Sequence, residues 1–190
     1  MNKIVLASGS PRRKQLLEWA EVDFEVIVRE TAETWPPGLG IVDIPVHIAR
    51  NKALAVEAFL EPGRVIIAAD TVVVLGDEII GKPRDRDDAV GILHRLAGKR
   101  HEVITGVVLR RNGEEQAFSD RTSVFFHELS LHEIRGYVDR YRPYDKAGAY
   151  AIQEWIGVVG IERIEGDFYN VMGLPVSRVV RALRKWQVVP

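Results

Sequence analysis

The segment Val65–Leu75 is apolar at every position except Asp70 and Thr71. Apolar residues at successive rather than alternate positions are typical of a strand that is buried on both faces of a sheet. Gly76-Asp77-Glu78 follows and predicts a hairpin turn that returns through Ile79-Ile80. The chain is therefore expected to build its fold around a sheet with a buried central strand.

The rest of the chain alternates between helical and extended patterns. Apolar spacing and capping residues predict helices over 45–60, 85–97, 130–140 and 176–186, and strands over 24–28, 102–111 and 116–128. A first strand is expected to begin at Lys3, Asn112-Gly113 predicts a second hairpin, and 143–175 is expected to be mostly irregular. This alternation predicts an α/β fold with a mixed sheet.

Composition narrows the class of protein. The 190 residues are 46% hydrophobic and 28% charged, which fits a single globular domain over 1–190. A net charge of −1 argues against general binding to nucleic acid or to a membrane surface, although it is compatible with a local basic pocket. The chain has no cysteine, which excludes disulfides and suits a cytoplasmic protein, and we expect no signal peptide.

A strand-to-helix turn near the N-terminus carries the first functional signal. An apolar run over 4–7 leads through Ser8-Gly9 to Ser10 and Pro11, which suit the N-cap and the first position of a helix. Arg12 and Arg13 then lie at the positive end of that helix, where cations are disfavoured. We therefore expect an anion there, and phosphate is the obvious candidate. The alternative is a surface turn with two solvated arginines.

Acidic residues provide a second signal. Asp70 interrupts an apolar strand, where an unpaired carboxylate is costly, so it must cap a turn at an exposed strand end, pair with a cation or bind a metal. Glu33 lies in a polar loop. A pair of such carboxylates suits Mg²⁺ or Mn²⁺, with substrate phosphates completing the coordination shell.

Lysines and histidines are less specific. Lys52 lies on a predicted helix as a solvated side chain or a phosphate ligand, whereas Lys82 is held between Gly81 and Pro83. The five histidines lack metal-ligand spacing and are expected at the surface: His47, His94, His101, His127 and His132. There is no nucleophile elbow, no P-loop and no dinucleotide-binding glycine motif. Serines, arginines, lysines and carboxylates together indicate a phosphoryl-transfer or pyrophosphate-releasing site.

Five ordered motifs resemble the Maf nucleotide pyrophosphatases, and they extend over nearly the whole chain. They are Ser8-x-Ser10-Pro11-Arg12-Arg13-x-x-Leu16-Leu17, Ala69-Asp70-Thr71-Val72-Val73, Gly81-Lys82-Pro83, Asp145-Lys146-Ala147-Gly148-x-Tyr150-x-Ile152-Gln153 and Tyr169-Asn170-Val171-Met172-Gly173-Leu174-Pro175. The resemblance implies an elongated α/β architecture, shared with inosine triphosphate pyrophosphatases (the Maf/Ham1 fold), in which two lobes flank a central cleft. It also implies a divalent metal and a homodimer.

The same resemblance implies an activity and residue roles. Members hydrolyse nucleoside triphosphates to the monophosphate and pyrophosphate. By resemblance, Asp70 is the proton acceptor and a metal-site residue, and Glu33 is a second metal-site residue. The residues expected to line the phosphates are Ser8, Ser10, Arg13, Lys52 and Lys82.

Three positions indicate a branch of the family. Arg12, Thr71 and Gln153 match those that mark the branch acting on dTTP and UTP, and a glutamine amide can pair with both O4 and N3–H of thymine or uracil. One departure is Glu154-Trp155-Ile156-Gly157, where many relatives have a glycine directly after the glutamine. CTP and modified pyrimidine nucleotides are further candidate substrates. The alternatives are a pyrophosphatase that prefers 7-methyl-GTP, and a nucleotide-sensing regulatory protein linked to cell division that has no turnover.

Overall fold

The computed structural model describes residues 4–190, so the predicted start of the first strand at Lys3 lies outside the described residues. Its strands are β1 (Ile4–Leu6), β2 (Glu25–Val26), β3 (Val65–Leu75), β4 (Glu78–Ile80), β5 (Arg100–Arg111), β6 (Glu114–Phe126) and β7 (Ile161–Glu165). Its helices are α1 (Pro11–Trp19), α2 (Ile44–Glu57), α3 (Arg86–Leu96), α4 (Leu131–Tyr141), α5 (Trp155–Val159), α6 (Phe168–Met172) and α7 (Val176–Lys185).

The described strands form one mixed sheet, as the sequence predicts. Its order is β2-β1-β3-β5-β6-β7, and β4 pairs with β3 beside this path. β1 runs parallel to β2 and β3, whereas β3–β4 and β6–β7 are antiparallel pairs. Both predicted hairpins are present, and Asn112 and Gly113 have φ values of 53° and 83°, which suit a tight turn with two left-handed residues.

The chain divides into two compact units. The first comprises Met1–Asp70, Thr105–Asp120 and Gly173–Pro190, and the second comprises Thr71–Ile104 and Arg121–Met172. The boundary within β3 falls between Asp70 and Thr71. The candidate site residues are therefore distributed over both units.

Helix α2 packs its apolar face on the sheet in the first unit. Ala49, Ala53 and Val56 of α2 share a buried cluster with residues of β1, β3 and β5. A Cβ at Gly106 of β5 would overlap with the backbone of Pro45 and Val46, so glycine permits this close approach. This packing fixes the helix that carries Lys52.

Neutral aromatic packing characterises the second unit. The His101 ring lies edge-on to the rings of Phe126 and Tyr150, with centroid distances of 5.0 and 5.5 Å, and a 2.7 Å hydrogen bond joins His101 Nε2 to the Tyr150 hydroxyl. The expectation of a surface histidine is therefore wrong for His101, which is 1% exposed. Its position at the start of an apolar strand, with aromatic partners distant in sequence, explains the difference.

Two further expectations need correction. The segment over 143–175 is not mostly irregular, because it contains α5, β7 and α6 together with a short 3-10 turn at Ala147–Ala149. Ser10 is the N-cap residue and Pro11 begins α1, as predicted, but the Ser10 side chain makes no capping hydrogen bond. By contrast, Ser130 and Glu133 form a complete capping box at α4. Among residues 4–190, no helix has the length and apolar character needed to cross a membrane.

Candidate active site

Ser8 and Arg13 form one contact group in the first unit. The Ser8 hydroxyl oxygen accepts hydrogen bonds from the Ser10 N–H at 3.3 Å and from Arg13 Nη1 at 3.1 Å. The Ser8 hydroxyl thus binds a backbone N–H of this turn, whereas the Ser10 side chain makes no capping bond. Arg13 also donates to the carbonyl oxygens of Ala69 through Nη1 and of Gly173 through Nε, both at 2.8 Å.

Arg13 is a buried cation, because its residue is only 8% exposed. Burial lowers the pKa of its guanidinium from the usual 12.5, while the nearby charges of Asp70 and Glu33 raise it and that of Arg12 lowers it. The alternative of two solvated arginines at a surface turn is therefore wrong for Arg13. Its partners are two backbone carbonyls and a serine, which hold the start of α1 against β3 and the segment at Gly173.

Asp70, Lys52 and Glu33 form a second contact group in the same unit. Lys52 Nζ lies 2.7 Å from Asp70 Oδ1 and 2.8 Å from Glu33 Oε1. Asp70 lies in the middle of β3 rather than at a strand end, so the turn-capping alternative is wrong and pairing with a cation is confirmed. Lys52 is likewise not a simply solvated lysine, since its side chain is 17% exposed.

The two contact groups lie next to each other. Arg13 Nη1 is bonded to the carbonyl of Ala69, the residue that directly precedes Asp70. The charges of Asp70 and Glu33 both act on the Arg13 guanidinium. Segments that are far apart in sequence thus bring a serine, two cations and two carboxylates to one place, where an anion and a hard cation would both find ligands of opposite charge.

Arg12 and Thr71 are half-buried, on α1 and β3 respectively. Thr71 follows Asp70 directly, so alternation along the strand places the two side chains on opposite faces of the sheet. Ser10 is half-buried at the turn, and its backbone N–H is engaged by Ser8.

Lys82 and Gln153 belong to the second unit, and both are exposed. Their segments are joined by the N–H of Gly148, which donates to the carbonyl of Gly81 at 3.1 Å. Gly148 has a φ of 72°, and a Cβ there would lie 3.0 Å from a methyl group of Val73. The structure therefore fixes the backbone next to Lys82 against the segment that leads to Gln153.

The residues that follow Gln153 and depart from the family pattern form a compact turn. The Gly157 N–H donates to the Glu154 carbonyl at 2.9 Å, and a Cβ at Gly157 would overlap with the Ile152 carbonyl. Gly157 therefore folds back on the residue that precedes Gln153. The glycine is displaced in sequence, but its backbone still packs directly against the segment that carries the glutamine.

Sequence reasoning missed several groups that hold these residues. The carbonyls of Ala69 and Gly173 carry no side-chain signal, although both residues lie within the motifs quoted above. Tyr137 of α4 bonds to Ala151 and Glu154 on either side of Gln153. No pattern in the sequence indicates this partner, because Tyr137 lies at a position that an amphipathic helix buries in any case.

The donors available for a metal are Glu33 and Asp70. Within residues 4–190, no group of three or more His, Cys, Asp or Glu side chains is arranged to hold a metal ion. Both carboxylates nevertheless approach one ammonium group, so they already share a single cation. Mg²⁺ commonly binds one or two carboxylates together with water and substrate phosphates, and the pair fits that pattern.

A comparison with solved structures identifies the fold. The Staphylococcus aureus Ham1 protein superposes with a TM-score of 0.53 at 16% identity, covering 97% of this chain and 98% of that one. This likeness confirms the expected Maf/Ham1-type α/β fold.

Sequence comparisons identify the family. A protein of Cytophaga hutchinsonii named dTTP/UTP pyrophosphatase is 48% identical over 182 residues, which are 96% of this chain and 83% of that protein. A protein of Parabacteroides distasonis with the same name is 45% identical over 183 residues, covering 96% of this chain and 95% of that protein. The family model described as "Maf-like protein" matches residues 3–186. The chain therefore belongs to the Maf-like protein family.

Proposed function

We propose that this protein hydrolyses dTTP and UTP to the monophosphate and pyrophosphate. The observation that carries the proposal is the convergence of Ser8, Arg13, Lys52, Glu33 and Asp70 in the first unit. The names of the two relatives support the substrate class, and Arg12, Thr71 and Gln153 support the branch. A sensor without turnover needs no buried proton acceptor, so Asp70 beside two cations favours an enzyme.

The residues of the first unit define how the triphosphate is held. The start of α1 carries partial positive charge and the Arg13 guanidinium beside it carries a full one, so both would attract an anion. Lys52 offsets one of the two negative charges of Glu33 and Asp70, and it is proposed to pair with phosphate oxygens in addition. By resemblance, Lys82 is a further phosphate-binding residue.

Asp70 is proposed to accept a proton from the water that attacks the α-phosphorus. Its position inside β3, flanked by Lys52 and by the backbone that Arg13 holds, fixes the carboxylate relative to the phosphate site. Glu33 and Asp70 would hold Mg²⁺ or Mn²⁺, which when bound supplies charge neutralisation at the phosphate oxygens. Release of pyrophosphate rather than orthophosphate follows from attack at the α position.

The test is product analysis on a nucleotide panel of dTTP, UTP, CTP, dCTP, dGTP and 7-methyl-GTP, each with Mg²⁺ or Mn²⁺. We expect pyrophosphate to be the primary product, with dTTP and UTP turned over best. Orthophosphate as the primary product would contradict attack at the α-phosphorus. Best turnover of 7-methyl-GTP would favour the other branch, and binding without turnover would favour the sensor.

Replacing Asp70 isolates its role. Asp70→Asn is nearly isosteric but cannot accept the proton, so kcat is expected to fall about 10²–10⁴-fold. The matched control is Asp77→Asn, which changes an exposed carboxylate in the turn between β3 and β4. Undiminished turnover by Asp70→Asn, with unchanged metal dependence, would remove Asp70 from this role.

Three associated proposals concern the metal, the oligomeric state and the location of the protein. We propose that the enzyme requires Mg²⁺ or Mn²⁺, works as a homodimer and is cytoplasmic. The carboxylate pair supports the first, and the absence of cysteine suits the third. Loss of turnover in the presence of a chelator tests the metal requirement, and analytical ultracentrifugation tests the homodimer. Cell fractionation tests the cytoplasmic location.

A further inference from the structure

Gln153 lies exposed in a segment whose other residues are fixed. Ala151 and Ile152, which precede it, are 4% and 5% exposed, and Glu154 follows it directly. The Glu154 N–H donates to the Ala151 carbonyl at 3.1 Å, which closes a tight turn around Gln153. The side chain proposed to read the base therefore projects from a backbone that is bonded on both sides.

The hydroxyl of Tyr137 holds both sides of this turn. It accepts a hydrogen bond from the Ala151 N–H at 3.2 Å and donates one to Glu154 Oε2. Tyr137 is 2% exposed, so its hydroxyl is largely shielded from water. Burial, together with the bond to Glu154, raises the pKa of the Tyr137 hydroxyl, which therefore keeps the proton that it donates.

Glu154 has a second partner in the same unit. Its Oε1 lies 3.7 Å from Lys146 Nζ, and Lys146 also donates to Asp145 Oδ1 at 2.8 Å. The Glu154 side chain is thus held between Tyr137 and Lys146 and contributes its backbone to the turn. This residue lies directly after Gln153, where many relatives are expected to have a glycine.

We propose that Tyr137 and Glu154 are positioning residues that orient Gln153 and thereby set base selectivity, an inference that rests on the proposed function. A glutamine amide presents a donor and an acceptor, and turning it over exchanges them. One orientation pairs with O4 and N3–H of thymine, and the reversed one pairs with the amino group and N3 of cytosine. A rigid turn fixes the point and the direction from which the Gln153 amide approaches the base and so favours one pairing geometry, whereas a loosened turn allows both.

The experiment measures the ratio of kcat/KM for dTTP to that for dCTP. Tyr137→Phe removes both hydroxyl bonds, and Glu154→Ala removes the acceptor. Each is expected to lower the ratio roughly tenfold, mainly through KM, and the double variant should lower it by much less than the product of the two factors, because each single variant already removes the Tyr137–Glu154 bond. Tyr141→Phe removes the hydroxyl of the neighbouring ring, stacked at 4.9 Å, and is expected to leave the ratio unchanged.

Glu154→Gln serves as the conservative variant. Its amide oxygen can still accept the Tyr137 hydrogen bond, so most of the wild-type ratio should return. The inference is overturned if Tyr137→Phe and Glu154→Ala keep the wild-type ratio, if they lower turnover of both nucleotides equally, or if wild type does not distinguish dTTP from dCTP.

Folding and the proposed function are controlled separately. If Tyr137→Phe does not fold, which thermal unfolding reveals, the comparison of Glu154→Ala with Glu154→Gln decides. If wild type releases no pyrophosphate from any nucleotide, the proposed function and this inference fall together. If wild type is active and the ratios do not respond, this inference alone is wrong.

Discussion

The candidate site residues of the two units are held in different ways. In the first unit they bond to one another: Arg13 to Ser8, and Lys52 to both Glu33 and Asp70. In the second unit, Gln153 is exposed, and residues with no proposed contact to substrate hold its segment. Binding groups and structural support are therefore the same residues in one unit and different residues in the other.

This difference determines whether a substitution can change selectivity without also changing stability and turnover. A change in the first unit removes a ligand and a structural contact together, so activity and stability should fall together. A change in the second unit can loosen the Gln153 turn while the phosphate-binding residues keep their contacts. Substitutions of the residues that hold the Gln153 turn should therefore change selectivity among bases with a smaller loss of turnover than substitutions of the phosphate-binding residues.

Arg13→Met is expected to give the largest loss of stability. It leaves the buried carbonyls of Ala69 and Gly173 without their donor and removes a buried cation beside Asp70 and Glu33. The free energy of unfolding should fall by about 3–5 kcal/mol, and turnover should fall with it. Urea unfolding measures the first effect.

The control for Arg13→Met is Lys14→Met, the next residue on α1. Lys14 is exposed, and its ion pair with Glu18 at 3.6 Å is a surface contact between successive helical turns. The free energy of unfolding should change by less than about 0.5 kcal/mol. Equal losses in the two variants would show that Arg13 does not hold the first unit in the way that its contacts indicate.

Gly157→Ala tests the support in the second unit. The added methyl group overlaps with the Ile152 carbonyl, so the turn around Gln153 must shift, at a cost of about 2–3 kcal/mol. Base selectivity should fall more than turnover of the best substrate. Differential scanning calorimetry and the nucleotide panel measure the two effects.

Gly136→Ala is a control with the opposite sign. A Cβ at this exposed position of α4 meets no atom within 4 Å, among the residues that the structure describes. Alanine in place of glycine within a helix should stabilise the protein by about 0.5–1 kcal/mol. A Gly157→Ala variant that is as stable as Gly136→Ala would contradict the close packing of the turn.

Residues that bond to each other within the site were the ones that the sequence could identify. Asp70 interrupts a buried strand, and Arg13 occupies an unfavourable helix end, so each position is costly unless a partner is present. The buried strand β3 and both hairpins were also predictable, because apolar runs and Asn-Gly turns are local signals. An energetically unfavourable position and a local apolar pattern can both be recognised from the amino-acid sequence alone.

Tyr137 and His101 could not be predicted as supporting residues, because neither of them carries such a local signal. Tyr137 and His101 look like ordinary members of an amphipathic helix and of a strand, and their partners are distant in sequence. The segment over 143–175 was expected to be irregular because α5, β7 and α6 have only five residues each. Elements this short form through tertiary packing, which sequence periodicity does not reveal.

A pH dependence distinguishes the neutral packing of the second unit from the charged contacts of the first. Burial lowers the pKa of His101 from 6.5 to about 4 in the folded protein. The unfolded chain therefore binds a proton at this residue between these values, and the folded chain does not. The contribution of neutral His101 to the free energy of unfolding is fully present above about pH 6.5 and is lost as the pH falls toward 4.

From pH 7 to pH 5, His101 should account for a loss of about 2 kcal/mol in the free energy of unfolding. Carboxylates also titrate in this range, so the difference between wild type and His101→Phe is the quantity to measure by urea unfolding. His101→Phe should flatten the dependence by that amount. An unchanged slope in His101→Phe would mean that His101 is protonated as readily in the folded chain as in the unfolded one, and that the second unit is not held by a dry aromatic cluster around Tyr150.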